Sequence, residues 1–527
     1  MIKKLALSKK KKDYQKYFFA VGASLILGVA FGVSLKVGFL FLGFSGAALL
    51  AWFWPKGFFC GLLFYLPSQI ALNLANGIDL MSGRALIMIF AGVYFIKKMN
   101  PTPPRQGGAG YLGGYFLRGV PPWRDKYQIP PFHPCGKPPG IQGNKIKNER
   151  IFLRESLKKY AAPLLFLIVA AASLLVAENQ FWGGRKLLLF LTVFPIYFVA
   201  RELLGSSLKK GQVIFWLSSG ASLAALVALG QFLAQFIFGL EETVKWWSEF
   251  IAPHFFGASF AKLVAINSSW LVAVSGQNWL RAFGFFPDPH MLSFCLGLTA
   301  PLLAAALVVR KKTTLVGWFF LGLILLALFL TFSRGGYLGI MAALGVFLLV
   351  GWPRLERKLK KIIFTALGLL IVLMIIWGAP VANRFVSSFD LNEGSALGRW
   401  QIWQESAIIF SHQPILGVGL GNYSLAINWQ ADYRNAMTSH NLYLDLLVET
   451  GLLGFLAGFF FFWPAVKCVH SLARQGDILA LGILGSLVYF LIHSFFETAI
   501  FNPTILAWLL IVLALAAEKE IINQNVL

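Results

Sequence analysis

The sequence predicts an all-α integral membrane protein, a polytopic bundle of about 12–14 transmembrane helices with two long external loops. Of its 527 residues, 57% are hydrophobic and only 13% are charged, whereas soluble domains carry about 25% charged residues. Many separate apolar runs reach the roughly 17–25 residues that cross a bilayer as a helix. These runs are continuous rather than alternating, which favours helices over a transmembrane barrel.

Fourteen candidate spans follow one another along the chain. The apolar run that begins at Tyr17 is too long for a signal-peptide core and precedes no small-residue cleavage site, so we interpret it as the first membrane helix. The spans lie at about 17–35, 37–54, 57–74, 83–96, 161–177, 187–204, 212–238, 290–309, 313–332, 335–351, 362–378, 444–466, 478–495 and 503–517.

The formal net charge is +24, from 46 Lys and Arg against 22 Asp and Glu. On a soluble chain such an excess indicates a nucleic-acid partner, but no nucleic-acid-binding motif is present. When the spans alternate from a cytoplasmic N-terminus, the strongly basic connections all fall on the cytoplasmic side, as topology signals do. Arg185 and Lys186 are the exception, because they fall just outside. We therefore expect the membrane, and no nucleic acid, as a partner.

Three regions organise the chain. Residues 1–99 are expected to hold the N-terminal transmembrane helices, and residues 160–527 the transmembrane core. Residues 100–159 are basic and rich in Pro and Gly without periodicity, which predicts a disordered cytoplasmic loop or insertion. The external loops at 239–289 and 379–443 are expected to carry the active site. The first contains LEETVKWWSEFIAPHFF, whose aromatic residues predict an interfacial helix.

Three polar islands lie at the outer ends of the predicted spans. LRAFGFFPDPHML (280–292) supplies Arg281 and His290, and TFSRGGYLG (331–339) supplies Arg334 and Tyr337. Arg334 could simply snorkel to the interface. However, it stands at a helix break beside two glycines that permit close backbone approach, which favours a functional arginine.

The third island covers residues 398–454, between the last long loop and the span that follows it. It supplies Arg399, Arg434 and His440, with Asp445 and Glu449 further on. Asp445 and Glu449 are four residues apart and share a helix face, so either is a candidate to orient His440 or to compete with it as a base.

Within the third island, GVGLGN superficially matches a phosphate-binding loop. Its glycines Gly417, Gly419 and Gly421 follow no strand of an α/β unit, so we interpret them as turn and packing glycines. The four cysteines show no paired spacing, and we expect no disulfide framework, metal site or cofactor.

Together the islands resemble the O-antigen ligase and O-antigen polymerase superfamily. The matching stretches are RAFGFF.P, SRGGYLG, GR..IW......QPILGVGLGNY and, at the usual distance after it, the C-terminal signature SHNLYLDLLVETGLLG. The resemblance covers nearly the whole chain except residues 100–154. The chain departs from the family in that insertion and in His290, where family members often carry Asn.

The resemblance implies a GT-C-like, metal-independent glycosyltransferase in the bacterial cytoplasmic membrane, and a direct displacement by the acceptor would make it inverting. Its donor would be a polyprenyl-diphosphate-linked glycan and its acceptor a hydroxyl of a lipid- or glycan-linked molecule, on the outer face, in cell-surface polysaccharide biosynthesis. By motif, Arg281 and Arg334 match the arginines expected at the diphosphate and His440 matches the essential loop histidine. The residues further expected to contact substrate are Arg399, Tyr337, Arg434 and His290.

The chemistry of these residue types agrees with that implication. Guanidinium groups bind phosphate oxygens bidentately and stabilise the charge that develops on a diphosphate leaving group. Imidazole is a suitable base near pH 7 for an acceptor hydroxyl. Two alternatives remain open. One is a multi-helix transporter, for which ionisable residues in mid-span are expected. The other is a protein O-oligosaccharyltransferase of the same superfamily.

Overall fold

A computed structural model of the chain confirms the predicted all-α membrane fold. It describes residues 35–75, 78–99, 160–257, 268–274, 276–310, 315–352, 394–432 and 437–518, with single positions at 261, 360 and 368. The predicted insertion at 100–159 and the candidate site residue Arg434 lie outside the described residues. So do the predicted spans at 17–35 and 362–378, apart from the single positions 35 and 368.

The N-terminal region contains helices and one small hairpin. Its elements are α1 (Leu35–Phe53), α2 (Pro55–Tyr65), β1 (Ala71–Ala75), β2 (Ile78–Met81) and α3 (Ser82–Met99). The predicted span at 57–74 is therefore too long, because the helix ends at Tyr65 and the chain passes through a short 3₁₀ turn into β1. The Asn-Gly pair at 76–77 is a strong hairpin signal, and hydropathy alone does not register it.

The core region is helical with one further hairpin. Its elements are α4 (Tyr160–Val176), α5 (Gln180–Val193), α6 (Pro195–Ser206), α7 (Lys210–Phe238), α8 (Leu240–Trp246), α9 (Ala252–Phe256), β3 (Leu271–Val274), β4 (Gln277–Leu280), α10 (Pro289–Val309), α11 (Leu315–Leu330), α12 (Arg334–Val346), α13 (Gly394–His412), α14 (Tyr423–Ile427), α15 (Leu442–Arg474), α16 (Ile478–His493) and α17 (Pro503–Ala517). Both hairpins are antiparallel.

Several of these helices can cross a bilayer, so the chain is a multi-pass membrane protein. Five helical segments in the described part are long and apolar enough by themselves. They are Gln180–Ser206, Lys210–Phe238, Pro289–Val309, Arg334–Gly351 and Leu442–Arg474. Five shorter apolar helices accompany them, at Leu42–Phe53, Tyr160–Val176, Leu315–Leu330, Ile478–His493 and Pro503–Ala517.

Helix α16 packs tightly against α10 and α12 because glycines face its buried Tyr489. A Cβ on Gly297 would stand 1.9 Å from the Tyr489 ring, and one on Gly339 would stand 2.9 Å from it. Small residues at helix contacts let backbones approach closely in membrane bundles. The glycines of α10 and α12 therefore leave room for the side chain of Tyr489, and this contact sets the spacing between α10 and α12.

Lys186, one of the two basic residues that depart from the charge pattern, is paired with an acidic side chain. Its Nζ lies 2.6 and 2.7 Å from the two carboxylate oxygens of Glu449 on α15. It also lies 3.2 Å from the ring centroid of Phe501, a cation–π contact. A cation held in this way is part of the packing of α5 on α15.

Polar contacts connect the end of α3 and the start of α4, the two helices that flank the predicted insertion in the sequence. Lys98, at the end of α3, lies 2.5 Å from Glu202 on α6. Tyr160, which begins α4, donates a hydrogen bond to the other oxygen of the same carboxylate. The end of α3 and the start of α4 are therefore both bonded to one carboxylate of α6.

Candidate active site

The first two sequence islands meet the end of α16 at one hydroxyl group. Ser333 Oγ lies 3.0 Å from His290 Nδ1 and 3.1 Å from His493 Nε2. His493 is fully buried and stacks on Phe294 with ring centroids 3.8 Å apart. The predicted site residue His290 thus lies beside the turn that carries Arg334, and His493 joins them.

Ser333 also begins α12, the helix whose first residue is Arg334. Its side chain accepts a hydrogen bond from the backbone N–H of Gly336, which is an N-cap. A Cβ on Gly335 would stand 2.5 Å from Cδ2 of His493. The two glycines that follow Arg334 therefore allow its helix to begin directly against α10 and α16.

Arg281 is 5% exposed and holds the turn that precedes Arg334. Its Nε donates to the carbonyl of Thr331 at 2.7 Å, and its Nη1 donates to the carbonyl of Ser269 at 2.8 Å. The next backbone N–H, of Ala282, donates to Leu330 at 3.0 Å. Arg281 therefore fastens the β3–β4 hairpin region to the end of α11.

Two buried glutamines of α7 hold the same segment from the other side. Gln235 exchanges hydrogen bonds with Leu280, donating to its carbonyl at 2.9 Å and accepting from its N–H at 2.7 Å. Gln231 donates to the carbonyl of Arg281 at 3.1 Å and accepts from Phe283 at 3.0 Å. Sequence reasoning missed both glutamines, although polar amides inside an apolar span are a usable signal.

His440 adopts a left-handed backbone, with φ of 51°. Phe332, beside Ser333, has φ of 49°, and these two are the non-glycine residues with positive φ among those described. Such conformations cost free energy and concentrate at functional sites. Both lie at the candidate site, one at each of the two turns that present Arg334 and the imidazole.

The imidazole of His440 is paired with Glu497. Its Nδ1 lies 3.0 and 3.1 Å from the two carboxylate oxygens. The His440 side chain is 44% exposed and that of Glu497 is 11% exposed. The carboxylate is therefore held inside while part of the imidazole remains accessible, and Nδ1 is the ring nitrogen engaged.

The expectation that Asp445 or Glu449 orients His440 is wrong. Asp445 accepts hydrogen bonds from the Ser439 N–H at 2.8 Å and from the hydroxyl of Thr498. Glu449 is bound to Lys186. The two carboxylates share a face of α15, as their spacing predicted, but that face meets α5 and the loop after α16.

Electrostatic interactions connect His440 and Glu497 with Arg399 and Arg334. Burial raises the pKa of Glu497, but its hydrogen bond with His440 and the charges of His440, His290 and Arg399 outweigh this and lower the pKa to about 2. The hydrogen bond and charge of Glu497 raise the pKa of His440, against burial and Arg399. Burial and the charge of Arg334 lower the pKa of Arg399. The site thus combines arginine cations with the ionised carboxylate of Glu497.

Arg399 lies on α13, within the segment predicted as an external loop at 379–443. That segment contains a 19-residue helix, Gly394–His412, rather than loop alone. The hydroxyl of Tyr337, another predicted site residue, donates to the carbonyl of Phe329 at 2.5 Å, and its ring stacks on the ring of Phe329. Tyr337 therefore packs α12 against α11.

The glycines of GVGLGN are turn and packing residues, as the sequence indicated. Gly417, Gly419 and Gly421 have φ of 68°, 93° and 77°. A Cβ on Gly417 would stand 2.2 Å from the carbonyl oxygen of Val448, and one on Gly419 would stand 2.5 Å from Ala177. The loop therefore lies directly on α15 and on the end of α4.

Part of the chain is similar to known proteins. Residues 319–461 match the family model described as O-antigen ligase. Teichuronic acid biosynthesis protein TuaE of Bacillus subtilis is 26% identical over 205 residues, which cover 36% of this chain and 42% of the relative. An uncharacterized protein of Haemophilus influenzae is 26% identical over 226 residues, which cover 37% of this chain and 56% of the relative.

These alignments span about half of each relative's length. The matched region contains Arg334, Arg399 and His440, whereas Arg281 and Glu497 lie outside it. The resemblance carried by the sequence motifs is confirmed over residues 319–461, which match the O-antigen ligase family model.

Proposed function

We propose that this protein is a membrane glycosyltransferase of the O-antigen ligase or polymerase type. It transfers a polyprenyl-diphosphate-linked glycan to an acceptor hydroxyl, on the outer face of the bacterial cytoplasmic membrane, in cell-surface polysaccharide biosynthesis. The observation that carries the proposal is the accessible His440, which lies in the region that matches the O-antigen ligase family and is paired with Glu497 near Arg399. The printed role of the Bacillus subtilis relative, teichuronic acid biosynthesis, supports a role in polysaccharide assembly.

Arg334 and Arg399 bind the donor diphosphate in this proposal. The charges of Arg334 and Arg399 influence each other, and Arg399 also interacts with Glu497, so the two arginines form one cationic patch near the His440–Glu497 pair. Guanidinium groups bind phosphate oxygens in pairs and stabilise charge on a departing diphosphate. Arg281 acts indirectly in this proposal: its guanidinium donates to the Thr331 carbonyl, three residues before Arg334, and so positions the turn that carries Arg334.

His440 deprotonates the acceptor. The hydroxyl oxygen attacks the anomeric carbon of the donor glycan while its proton passes to the imidazole. The bond between that carbon and the diphosphate oxygen breaks, and polyprenyl diphosphate leaves with the electron pair. A single displacement of this kind inverts the anomeric centre. The positive charges of the arginines stabilise the negative charge that develops on the leaving diphosphate, so the proposed reaction needs no metal ion.

Arg334→Lys tests the proposal. Lysine keeps the charge but loses the planar fork, so we expect binding of undecaprenyl diphosphate and glycan transfer in host membranes to fall by about 10–100-fold. The matched control is Arg474→Lys, since Arg474 is exposed at the far end of α15. Equal transfer by Arg334→Lys, Arg474→Lys and the wild type at equal expression would show that Arg334 does not bind the donor diphosphate.

A further inference from the structure

Glu497 lies outside the family match and outside the three sequence islands, in the loop between α16 and α17. Both of its carboxylate oxygens are within 3.1 Å of His440 Nδ1. A buried carboxylate bonded to one nitrogen of an accessible imidazole is the arrangement that orients a catalytic histidine in unrelated enzymes.

The loop that carries Glu497 is fastened to the first turn of α15, directly after His440. The N–H of Leu442 donates to the carbonyl of Ser494 at 2.9 Å. The hydroxyl of Tyr443 donates to the carbonyl of Leu491 at 2.7 Å. On the far side of Glu497, the Thr498 hydroxyl donates to Asp445. These bonds bracket Glu497 and fix its position relative to the imidazole.

We propose that Glu497 is a positioning residue: it holds the Nδ1–H of His440, so that Nε2 is the basic nitrogen offered to the acceptor hydroxyl. A neutral imidazole has one N–H and one lone pair, and the partner of one nitrogen decides the state of the other. When Nε2 takes the acceptor proton, the resulting imidazolium is stabilised by the ionised carboxylate beside it. The catalytic meaning of this role rests on the proposed glycosyl transfer.

The charges around the pair are consistent with this role. Glu497 raises the pKa of His440 and Asp445 adds to the effect, while burial and Arg399 oppose it. The pKa of Glu497 itself is lowered to about 2, so its carboxylate remains ionised through the range in which His440 titrates. Removing the carboxylate should therefore lower the pKa of His440.

The test follows the His440 ring directly in full-length protein labelled with ¹⁵N-histidine and purified in detergent. His440→Ala assigns the signal. In the wild type we expect a protonation midpoint above the ordinary value of about 6.5 and, at high pH, an Nδ1–H tautomer. Glu497→Gln keeps an acceptor oxygen but removes the charge, so the midpoint should fall by about one pH unit with the tautomer retained. Glu497→Ala should lose both.

Transfer measured in host membranes provides the second readout. Glu497→Gln should shift the rate profile to lower pH, and Glu497→Ala should also lower the maximal rate. Glu241→Gln, an exposed carboxylate on α8, is the control and should change neither. A wild-type midpoint and tautomer in folded Glu497→Ala would overturn the inference. Shifts as expected combined with normal transfer by His440→Ala would overturn the base role in the proposed function instead.

Discussion

The backbone N–H of Val418 donates a 2.8 Å hydrogen bond to the carbonyl of Val448, three residues before α15 leaves helical geometry at Gly451. Beyond the break, the N–H of Leu452 donates to the carbonyl of Pro414 at 2.8 Å. The segment QPILGVG thus supplies partners to backbone groups that the interrupted helix cannot pair itself. The two most specific sequence signatures of the chain are therefore hydrogen-bonded to each other. We call this arrangement the interlock, and it holds the short helical stretch between His440 and the break at Gly451.

Gly451→Ala should destabilise the fold. Gly451 has φ of 65°, and a Cβ there would stand 2.2 Å from the carbonyl oxygen of Ile415, which is backbone and cannot move aside. Left-handed strain alone costs about 1–3 kcal/mol, so the apparent melting temperature in detergent should fall clearly. Gly345→Ala is the control, because nothing lies within 4 Å of its added Cβ. Identical melting of both variants would contradict the interlock.

The helical membrane fold could be predicted from the sequence, because a continuous apolar run of spanning length satisfies its backbone hydrogen bonds in lipid by forming a helix. It also predicted that Gly417, Gly419 and Gly421 are packing residues, since no α/β unit precedes them. The hairpin after α2 was missed because a hydropathy window merges a short helix with the apolar strand that follows. Local patterns of this kind are readable from one sequence, but their boundaries are not.

The pairing of His440 with Glu497 could not be predicted in the same way. The two residues are 57 positions apart and meet only because the loop after α16 folds onto the start of α15. Helical spacing linked Asp445 with Glu449 and so favoured them as partners. Spacing shows which side chains share a face but not which element packs on it, and here Lys186 and Thr498 occupy that face.

Arg281→Lys should act through Arg334. Lysine cannot serve the carbonyls of both Thr331 and Ser269 with one planar fork, and leaving a buried carbonyl without a partner costs about 1–3 kcal/mol. We expect a lower melting temperature and weaker binding of undecaprenyl diphosphate. In a double-mutant cycle, Arg281→Lys should add little to the loss already caused by Arg334→Lys, because both disturb one turn. Fully additive losses would show that Arg281 contacts the diphosphate independently.

Chelation should leave transfer unchanged. In the proposed reaction, Arg334 and Arg399 stabilise the negative charge of the leaving diphosphate, which is the role that a bound cation would otherwise take. Transfer should be measured in washed host membranes with and without EDTA. Loss of activity in EDTA that Mg²⁺ or Mn²⁺ restores would mean that a cation shares the role assigned to the arginines.

The site should face the outside of the cell. Gln277 is exposed on β4 beside the site, and Gln475 is exposed at the other end of α15. In intact cells an impermeant thiol reagent should label Gln277→Cys and spare Gln475→Cys, while permeabilised cells should show labelling of both. The parent chain controls for its own cysteines. The reverse pattern would place the site in the cytoplasm and rule out a donor glycan already on the outer face.

His440→Ala should separate chemistry from donor binding. If the imidazole is the base, the single-turnover rate should fall by about 10²–10⁴-fold, while the affinity for undecaprenyl diphosphate should stay nearly unchanged. His412→Ala, an exposed histidine on α13, should transfer normally. A loss of donor affinity that matches the loss of rate would instead indicate that His440 binds phosphate as a cation.

The pH dependence distinguishes the same two roles by its sign. A base acts when neutral, so the wild-type rate should rise with pH and reach half its maximum at the pKa of His440. Glu497 and Asp445 raise that pKa, while burial and Arg399 lower it, and the net direction is upward from 6.5. The half-maximal rate should therefore lie above pH 6.5. If His440 instead binds phosphate as a cation, the rate should fall with rising pH over the same interval, because the protonated imidazole that binds phosphate is then lost.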